Sequence, residues 1–277
     1  MKKSIFTVFI IFVSCFLAGT ALGALSDGLV GYWQFDDPTN LGLDSSLYHN
    51  DGTPAPGYVS YSTEGKINGA ASFIKGSNAG ITIPNAPSLN FTGGITIASW
   101  VKMAVNDGEG TVISKSDTHI NGVCEPYVLW ASFAPYIYHS HMVAFWGGTN
   151  QYADDSGVLV PAGVWKHLAV TYDGQQNGNV RFYVDGKLVS SQQSMASGLH
   201  TNSSDLHIGA SPCPGPEDFY GLLDDVRLYN RVLSDAEIQE LGNTLLVPAM
   251  NSWGELLFFL ILAGASVWKI RRRWQGA

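Results

Sequence analysis

Two adjacent aspartates, Asp224 and Asp225, stand in the apolar alternation GLLDDVRLY near the end of the chain. Neighbouring residues of a strand point to opposite faces of its sheet, so the two carboxylates are expected to meet different surroundings. Asp225 is predicted to share an exposed face with Arg227 and to pair with it. Asp224 is predicted to lie among apolar side chains, where an unpaired charge is costly. It therefore requires a cation or several hydrogen-bond donors.

A second group with chemical potential lies in the aromatic run YVLWASFAPYIYHSHMVAFW, residues 127–146. Flat aromatic rings bind the apolar faces of sugars, and polar neighbours fix the orientation of the sugar. Alternate residues of a sandwich strand also fill the core, which explains most of the run as packing. The hairpin tip is less easily explained in that way, so we predict ligand binding by Tyr136, Tyr138, His139 and His141. The two histidines could also bind a transition metal, although no third ligand is evident.

Cys124 and Cys213 are the two cysteines that follow the N-terminal segment. Two cysteines in an exported chain predict one disulfide, here between two connections rich in proline and glycine. The sequence contains no Cys-x-x-Cys, which argues against a zinc knuckle or a thioredoxin-type site. It also contains neither Gly-x-Ser-x-Gly nor His-Glu-x-x-His, the motifs of a serine hydrolase and a zinc protease.

The charge balance excludes one class of partner. The chain has 15 basic and 23 acidic residues and a net charge of −8. Six of the basic residues and one acid lie in the terminal segments, which leaves 9 basic and 22 acidic residues between them, a net charge of −13. Such a surface repels phosphate backbones, so nucleic acid is not expected as a partner. It suits a hard cation such as calcium, which prefers oxygen ligands.

The N-terminal segment, residues 1–23, has the pattern of a secretory signal peptide. Two lysines precede an apolar run that ends in small residues. The small-x-small pair Ala21 and Gly23 favours cleavage after Gly23. Lipid attachment at Cys15 is a less favoured alternative, because the apolar run continues past that cysteine.

The C-terminal segment, residues 244–277, carries a second apolar run. Leu256–Trp268 contains no charge, and a basic cluster with three consecutive arginines follows it. We predict a transmembrane helix here, short for the roughly 20 residues that usually span a bilayer, with the arginines in the cytoplasm. The folded part, residues 25–243, would then lie outside that membrane, in agreement with the signal peptide.

Between these segments the sequence predicts one all-β domain. Short apolar alternations are separated by Gly, Asn, Asp and Pro, a pattern typical of an antiparallel sandwich or barrel. The clearest hairpin runs from Arg181 to Val189, and Asp185-Gly186 supplies the positive φ of its type I′ turn.

One short helix is predicted at the end of this domain. Ser234 and Glu237 form a capping box, and Gly242 is expected to end the helix. A helix of about two turns does not stand alone in water. We expect it to dock on the sandwich through Ile238 and Leu241.

Seven segments occur in an order that resembles the laminin-G-like jelly-roll domains, which are concanavalin A-like sandwiches. These are GLVGYWQFDD, LDSSLYHNDGT, GKINGAASF with ITIASWVK, WKHLAVTYDG, VRFYVDGKLV and GLLDDVRLYNRVLSDAEIQEL. The resemblance covers roughly residues 29–241. It implies a two-sheet antiparallel jelly roll with the short docking helix at its end.

The resemblance also implies a structural calcium. In concanavalin A-like families an aspartate on a late strand often meets the N-terminal strand and a loop carbonyl around this ion. Asp224 matches that aspartate, Asp36 is the best N-terminal partner, and Gly76 is a plausible carbonyl donor. Laminarinase-type hydrolases of this fold carry their two carboxylates as Glu-x-Asp-x-x-Glu, which is absent here. No catalytic residue is therefore predicted.

The C-terminal segment resembles the IPTL-CTERM sorting tail of bacterial exported proteins. Asn251-Ser252-Trp253-Gly254 keeps the turn and tryptophan of that signal, although Val247-Pro248-Ala249-Met250 replaces the name-giving residues. The resemblance implies a bacterial protein of the cell envelope or surface, and a sorting or processing protease as a partner.

Together these features predict an exported, surface-associated binding module without catalysis, for carbohydrate or another surface polymer. The alternatives are a structural or adhesive surface protein that contacts proteins, and a polysaccharide hydrolase of unrecognised type. Loops are expected to set the ligand specificity in this fold.

Overall fold

Two antiparallel β-sheets and one short α-helix form the described folded part of the chain, with one 3-10 helix at Pro87–Leu89. The alternation of apolar residues predicts the sheets. The computed structural model describes residues 25–76, 79–104, 109–120, 123–132, 143–147, 154–194, 199, 201–210 and 218–243. All of these belong to one compact unit that ends at Asn243.

The described residues form fifteen strands. In chain order they are β1 (Leu29–Trp33), β2 (Thr53–Pro54), β3 (Val59–Ile67), β4 (Gly69–Phe73), β5 (Ile81–Ile83), β6 (Ile95–Met103), β7 (Glu109–Ile120), β8 (Val123–Ser132), β9 (Val143–Gly147), β10 (Asp154–Asp155), β11 (Lys166–Tyr172), β12 (Asn179–Val184), β13 (Lys187–Gln193), β14 (Leu206–Ile208) and β15 (Gly221–Tyr229).

The strands divide into two sheets. Sheet A has the order β13-β12-β11-β6-β15-β4-β3, and β1 also pairs with β15. Sheet B has the order β10-β9-β8-β7-β14-β5-β2. The late strand β15 thus lies inside sheet A, between β6 and β4, although it is last in sequence.

The core fills the space between the inner faces of the two sheets. Alternate residues of β6 and β11 contribute apolar side chains from sheet A, and β5, β7 and β14 contribute them from sheet B. In β6 Ile95, Ile97, Val101 and Met103 belong to this core, whereas Ala98 packs in the second apolar cluster on the outer face of sheet A. This period of two is the signal that the sequence carries for a sandwich.

The predicted helix is confirmed as α1 (Asp235–Gly242). Its N-cap is Ser234, and the capping box with Glu237 is formed in both directions. Ile238 and Leu241 dock on the outer face of sheet A, in a second apolar cluster with Ala98, Ala169, Tyr183, Tyr229 and Leu233.

The predicted β12–β13 hairpin is also confirmed, with Asp185 at φ 50° and Gly186 at φ 73°. Its turn lies directly against the end of α1. A Cβ atom added to Gly242 would stand 2.4 Å from the Gly186 nitrogen, a distance that only a shift of backbone could relieve.

Gly242→Ala is therefore expected to lower the free energy of unfolding by about 1–3 kcal/mol, because the helix must move off the hairpin turn. Urea unfolding followed by circular dichroism measures the change. Gly93→Ala is the matched control, since no heavy atom lies within 4 Å of its added Cβ. Equal destabilisation by both substitutions would contradict the close contact.

The predicted signal peptide and C-terminal transmembrane helix lie outside the described residues. Within the described ranges, no helix combines the length and apolar character that crossing a bilayer requires.

Candidate functional site

A β-bulge separates the two aspartates of β15. Asp224 is opposite Trp100 in the register, whereas Arg227 is opposite Ala98, so β15 has one extra residue in between. Asp225 takes a left-handed conformation with φ 52°. Both carboxylates are buried, Asp224 at 0% and Asp225 at 3% exposure. The prediction that Asp225 faces solvent is wrong, because the bulge breaks the alternation on which it rested.

Asp225 is part of a buried ion pair with an aromatic partner. The Tyr32 hydroxyl donates to Oδ1 of Asp225 over 2.6 Å, and the Arg227 guanidinium lies 3.4 Å from Oδ2. Arg227 also donates to the Tyr32 hydroxyl over 2.7 Å and stacks over the Tyr32 ring. Burial raises the pKa of Tyr32 well above its usual range. The predicted pairing of Asp225 with Arg227 exists, but inside the protein.

Asp224 has one bound and one unbound carboxylate oxygen. Oδ2 accepts a hydrogen bond from the backbone nitrogen of Ile67 over 2.8 Å. Oδ1 has no hydrogen-bond partner within the described part of the chain. Burial raises the pKa of Asp224 to about 8. At neutral pH this side chain is therefore a largely protonated carboxyl group unless a cation accompanies it.

Asp36 holds the same turn as Asp224. Its Oδ1 accepts a hydrogen bond from the Gly69 nitrogen over 3.0 Å, and its Oδ2 accepts one from the Asn68 side chain over 3.1 Å. Residues 67–69 connect β3 to β4. Asp36, which follows β1, and Asp224, which belongs to β15, thus both bind the turn between β3 and β4.

Gly76 is not brought to these acids. In the antiparallel pair of β4 and β15, Phe73 at the end of β4 is opposite Gly221 at the start of β15. Gly76 follows Phe73 beyond that end of the pair. Asp224 lies towards the opposite end. The Gly76 carbonyl accepts a hydrogen bond from the Ala79 nitrogen over 3.2 Å.

The donor set around Asp224 and Asp36 consists mainly of N–H groups, whereas calcium takes six to eight oxygens. No cluster of three or more metal-binding side chains occurs among the described residues. Gly76 lies away from the two acids, so calcium at Asp36 and Asp224 stays a prediction that requires other oxygen ligands. A cation bound through the free Oδ1 of Asp224 stays a prediction.

His167 and Trp100 lie beside the aspartates on the outer face of sheet A. They are opposite each other in the register, with ring centroids 5.2 Å apart. Burial lowers the pKa of His167 to about 3, so the imidazole is neutral. Its two nitrogens, and Nε1 of Trp100, have no hydrogen-bond partner in the described chain. Lys66 covers the Trp100 ring at 4.7 Å, which closes this part of the face.

The outer face of sheet B carries a row of polar side chains. Thr53, Thr82, His207 and Ser114 occupy successive register positions across β2, β5, β14 and β7. The Thr82 hydroxyl lies 3.3 Å from Nδ1 of His207. Burial lowers the pKa of His207, which keeps the imidazole neutral at pH 7. Ser114 is fully buried and donates to the Ala210 carbonyl over 2.8 Å. Thr53, Thr82 and His207 therefore offer the hydrogen-bond donors and acceptors of the row, without net charge.

The same register continues through Val128 of β8 to Trp146 of β9. The predicted ligand residues Tyr136, Tyr138, His139 and His141 belong to the connection between β8 and β9 and lie outside the described residues. The sequence interpretation missed the row itself. The sequence pattern that could have revealed the row is one polar residue between two apolar residues, Thr82 in ITI and His207 in LHI.

The disulfide stays a prediction. The expectation that Cys124 lies in a connection is wrong, because its backbone belongs to β8, and Cys213 lies outside the described residues.

Comparison with known proteins places the fold in a family. The sequence profile of the concanavalin A-like lectin/glucanases superfamily matches residues 75–239. Adhesion G-protein coupled receptor V1 of Danio rerio is 32% identical over 81 residues, which are 28% of this chain and 1% of the receptor. The chain therefore corresponds to a very small part of that curated relative.

Three solved structures share the fold at low identity. Domain 4 of an extracellular arabinanase from Geobacillus stearothermophilus, in complex with arabinotriose, has a TM-score of 0.59 and 22% identity over 78% of this chain and 98% of that domain. The binding domain of Paraclostridial Mosquitocidal Protein 1 has a TM-score of 0.60 and 16% identity, over 79% of this chain and 53% of that chain. A Trypanosoma rangeli sialidase has a TM-score of 0.55 and 20% identity, over 78% of this chain and 32% of the sialidase chain.

Proposed function

The chain belongs to the concanavalin A-like lectin/glucanases superfamily, and from this premise we propose that it is a non-catalytic binding module for carbohydrate or another surface polymer. The likeness to domain 4 of the Geobacillus arabinanase, solved with arabinotriose, supports a sugar as the ligand. Export, surface location and a membrane-anchored tail that a processing protease recognises belong to the same proposal. They rest on the two terminal segments of the sequence.

The polar row on sheet B carries this proposal. Sugar hydroxyls both donate and accept hydrogen bonds, and a neutral imidazole beside a threonine hydroxyl can do the same. The side chains of Thr82 and His207 lie outside the core, because their neighbours along β5 and β14 are core residues. On sheet A, by contrast, α1 and the β3–β4 turn cover much of the outer face.

The chemistry of the row supports binding rather than hydrolysis. Its side chains are hydroxyls and one imidazole, whereas a retaining glycosidase uses two carboxylates about 5 Å apart. The two acids of β15 are buried, and Asp225 is already paired with Arg227. A reducing-sugar release assay on every polysaccharide that binds tests the absence of catalysis.

His207→Ala is expected to weaken binding to the best ligand on a glycan array by tenfold or more, which corresponds to about 1.4 kcal/mol. The physical reason is the loss of a neutral donor and acceptor next to Thr82. Isothermal titration of the full-length chain with that ligand measures the change.

The matched control is His49→Asn, which removes an exposed imidazole at a position with φ 50° that asparagine tolerates. Unchanged affinity in His207→Ala would remove sheet B as the binding face. An array with no bound glycan, together with binding to a surface protein, would favour the adhesive alternative.

A further inference from the structure

An open groove lies on the outer face of sheet A, beside the start of β15. It has a volume of about 410 Å³. Ser72 of β4, Leu222 of β15 and Lys102 of β6 are neighbours in the register and lie side by side along it. Glu64 and Tyr220 also line the groove. Its volume falls in the range of small-molecule sites.

Close approach of two strands shapes one side of this groove. Gly221 has φ 144°, and a Cβ atom added there would stand 2.2 Å from the Lys102 carbonyl oxygen. Only glycine permits this contact between β15 and β6. No side chain therefore projects from Gly221 into the groove.

The polar groups of the groove are available to a ligand. Ser72 and Tyr220 each contribute a hydroxyl-bearing side chain to its lining. Lys102 and Glu64 form an ion pair over 3.0 Å, with side chains 26% and 71% exposed. An ion pair this exposed contributes little to stability, so the two groups can rearrange around a ligand.

Apolar surface complements these polar groups. Ile74 is 46% exposed at the groove, and Leu222 and the Tyr220 ring lie beside it. A sugar ring has apolar faces and a rim of hydroxyls, so it matches an aromatic ring, aliphatic side chains and a few hydrogen-bonding groups. The ammonium and the carboxylate balance in charge, and the chain as a whole is acidic. These charges favour a neutral ligand over an anionic one.

We propose that this groove is a second saccharide site, which binds a neutral sugar through Ser72, Tyr220 and the Lys102–Glu64 pair. The choice of a saccharide rests on the proposed function, whereas the location is independent of it. The outer faces of the two sheets point in opposite directions. A chain with one site on each face cross-links two polymer molecules instead of coating one.

Two experiments with the full-length chain test this inference. The first is isothermal titration with three neutral trimers, arabinotriose, maltotriose and cellotriose, and with trigalacturonate as the anionic comparison. We expect two sites per chain for at least one neutral trimer. Tyr220→Ala and the size-conserving Glu64→Gln should each weaken one site by tenfold or more, while His207→Ala should weaken the other.

The second experiment measures light scattering on mixing the protein with the polysaccharide of the trimer that binds. The wild type should form large aggregates at intermediate ratios, and each groove variant should bind the polymer without aggregating it. Thermal melting verifies that the groove variants fold.

The outcomes separate the two proposals. Wild-type stoichiometry and cross-linking in both groove variants, with binding lost in His207→Ala, would overturn the groove and leave the proposed function intact. Tighter binding of trigalacturonate than of every neutral trimer would overturn the neutral class. Failure of all four trimers at millimolar concentration would overturn the groove as a saccharide site, whereas the glycan array decides the proposed function independently.

Discussion

Asp44→Ala is expected to lower the free energy of unfolding by about 3–5 kcal/mol, because it leaves several buried donors without an acceptor. Asp44 is 0% exposed. Its carboxylate accepts hydrogen bonds from the backbone nitrogens of Tyr32, Ser46 and Asn50 over 2.7–2.8 Å and from the Ser46 hydroxyl over 2.7 Å. These bonds attach residues 44–50 to β1. Urea unfolding of the full-length chain measures the loss.

The control for Asp44 is Asp37→Ala. Asp37 is exposed and accepts hydrogen bonds from Thr39, two residues away. Little change is expected there. A shift of the urea midpoint in Asp44→Ala no larger than that in Asp37→Ala would show that the four hydrogen bonds do not hold this segment.

The second large effect concerns Asp224 and depends on pH. The folded-state pKa of about 8 lies above the unfolded value of about 3.9, so the folded chain binds more protons between these two values. The contribution of Asp224 to stability is therefore present at pH 4 and is lost as the pH rises to 8. Asp224→Asn keeps the shape without the charge. It should exceed the wild type at pH 8 by on the order of 4 kcal/mol and match it at pH 4.

Calcium gives this experiment a second arm. If a cation accompanies the Asp224 carboxylate, added calcium raises the melting temperature of the wild type at pH 8, and a chelator lowers it. Neither treatment should then affect Asp224→Asn. Asp225→Ala, in contrast, leaves Arg227 buried without its carboxylate and is expected to destabilise the chain with and without calcium. Parallel pH profiles for the wild type and Asp224→Asn would contradict the raised pKa.

The parts of the fold that the sequence predicted correctly depend on local signals. The β12–β13 hairpin follows from Asp185-Gly186 in a two-residue turn, and α1 follows from the capping box at Ser234 and Glu237. The two-sheet sandwich follows from alternation, which each strand carries in its own residues. None of these features requires knowledge of a distant partner.

The parts that were missed depend on partners far apart in sequence. The bulge at Asp225 is stabilised by Tyr32, which is 193 residues away. Lys115 is a further case, because a charged residue in alternation predicts an outward position. It is fully buried instead, and its ammonium donates to oxygens of Asn85, Asn202 and Ser204. The residue pattern of a single strand does not predict these oxygen partners, which come from other segments of the chain.

The central position of β15 in sheet A has a consequence for how the chain folds. Its neighbours β1, β4 and β6 are made 118 or more residues earlier, as the positions of Met103 and Gly221 show. Until β15 joins them, β4 and β6 each lack one partner strand. Contacts between such distant segments impose a large loop-closure cost and slow the folding rate. We expect the pairing of β15 with its neighbours to be a late, rate-limiting step of folding. A chain truncated before Gly221 should expose unpaired strand edges and aggregate.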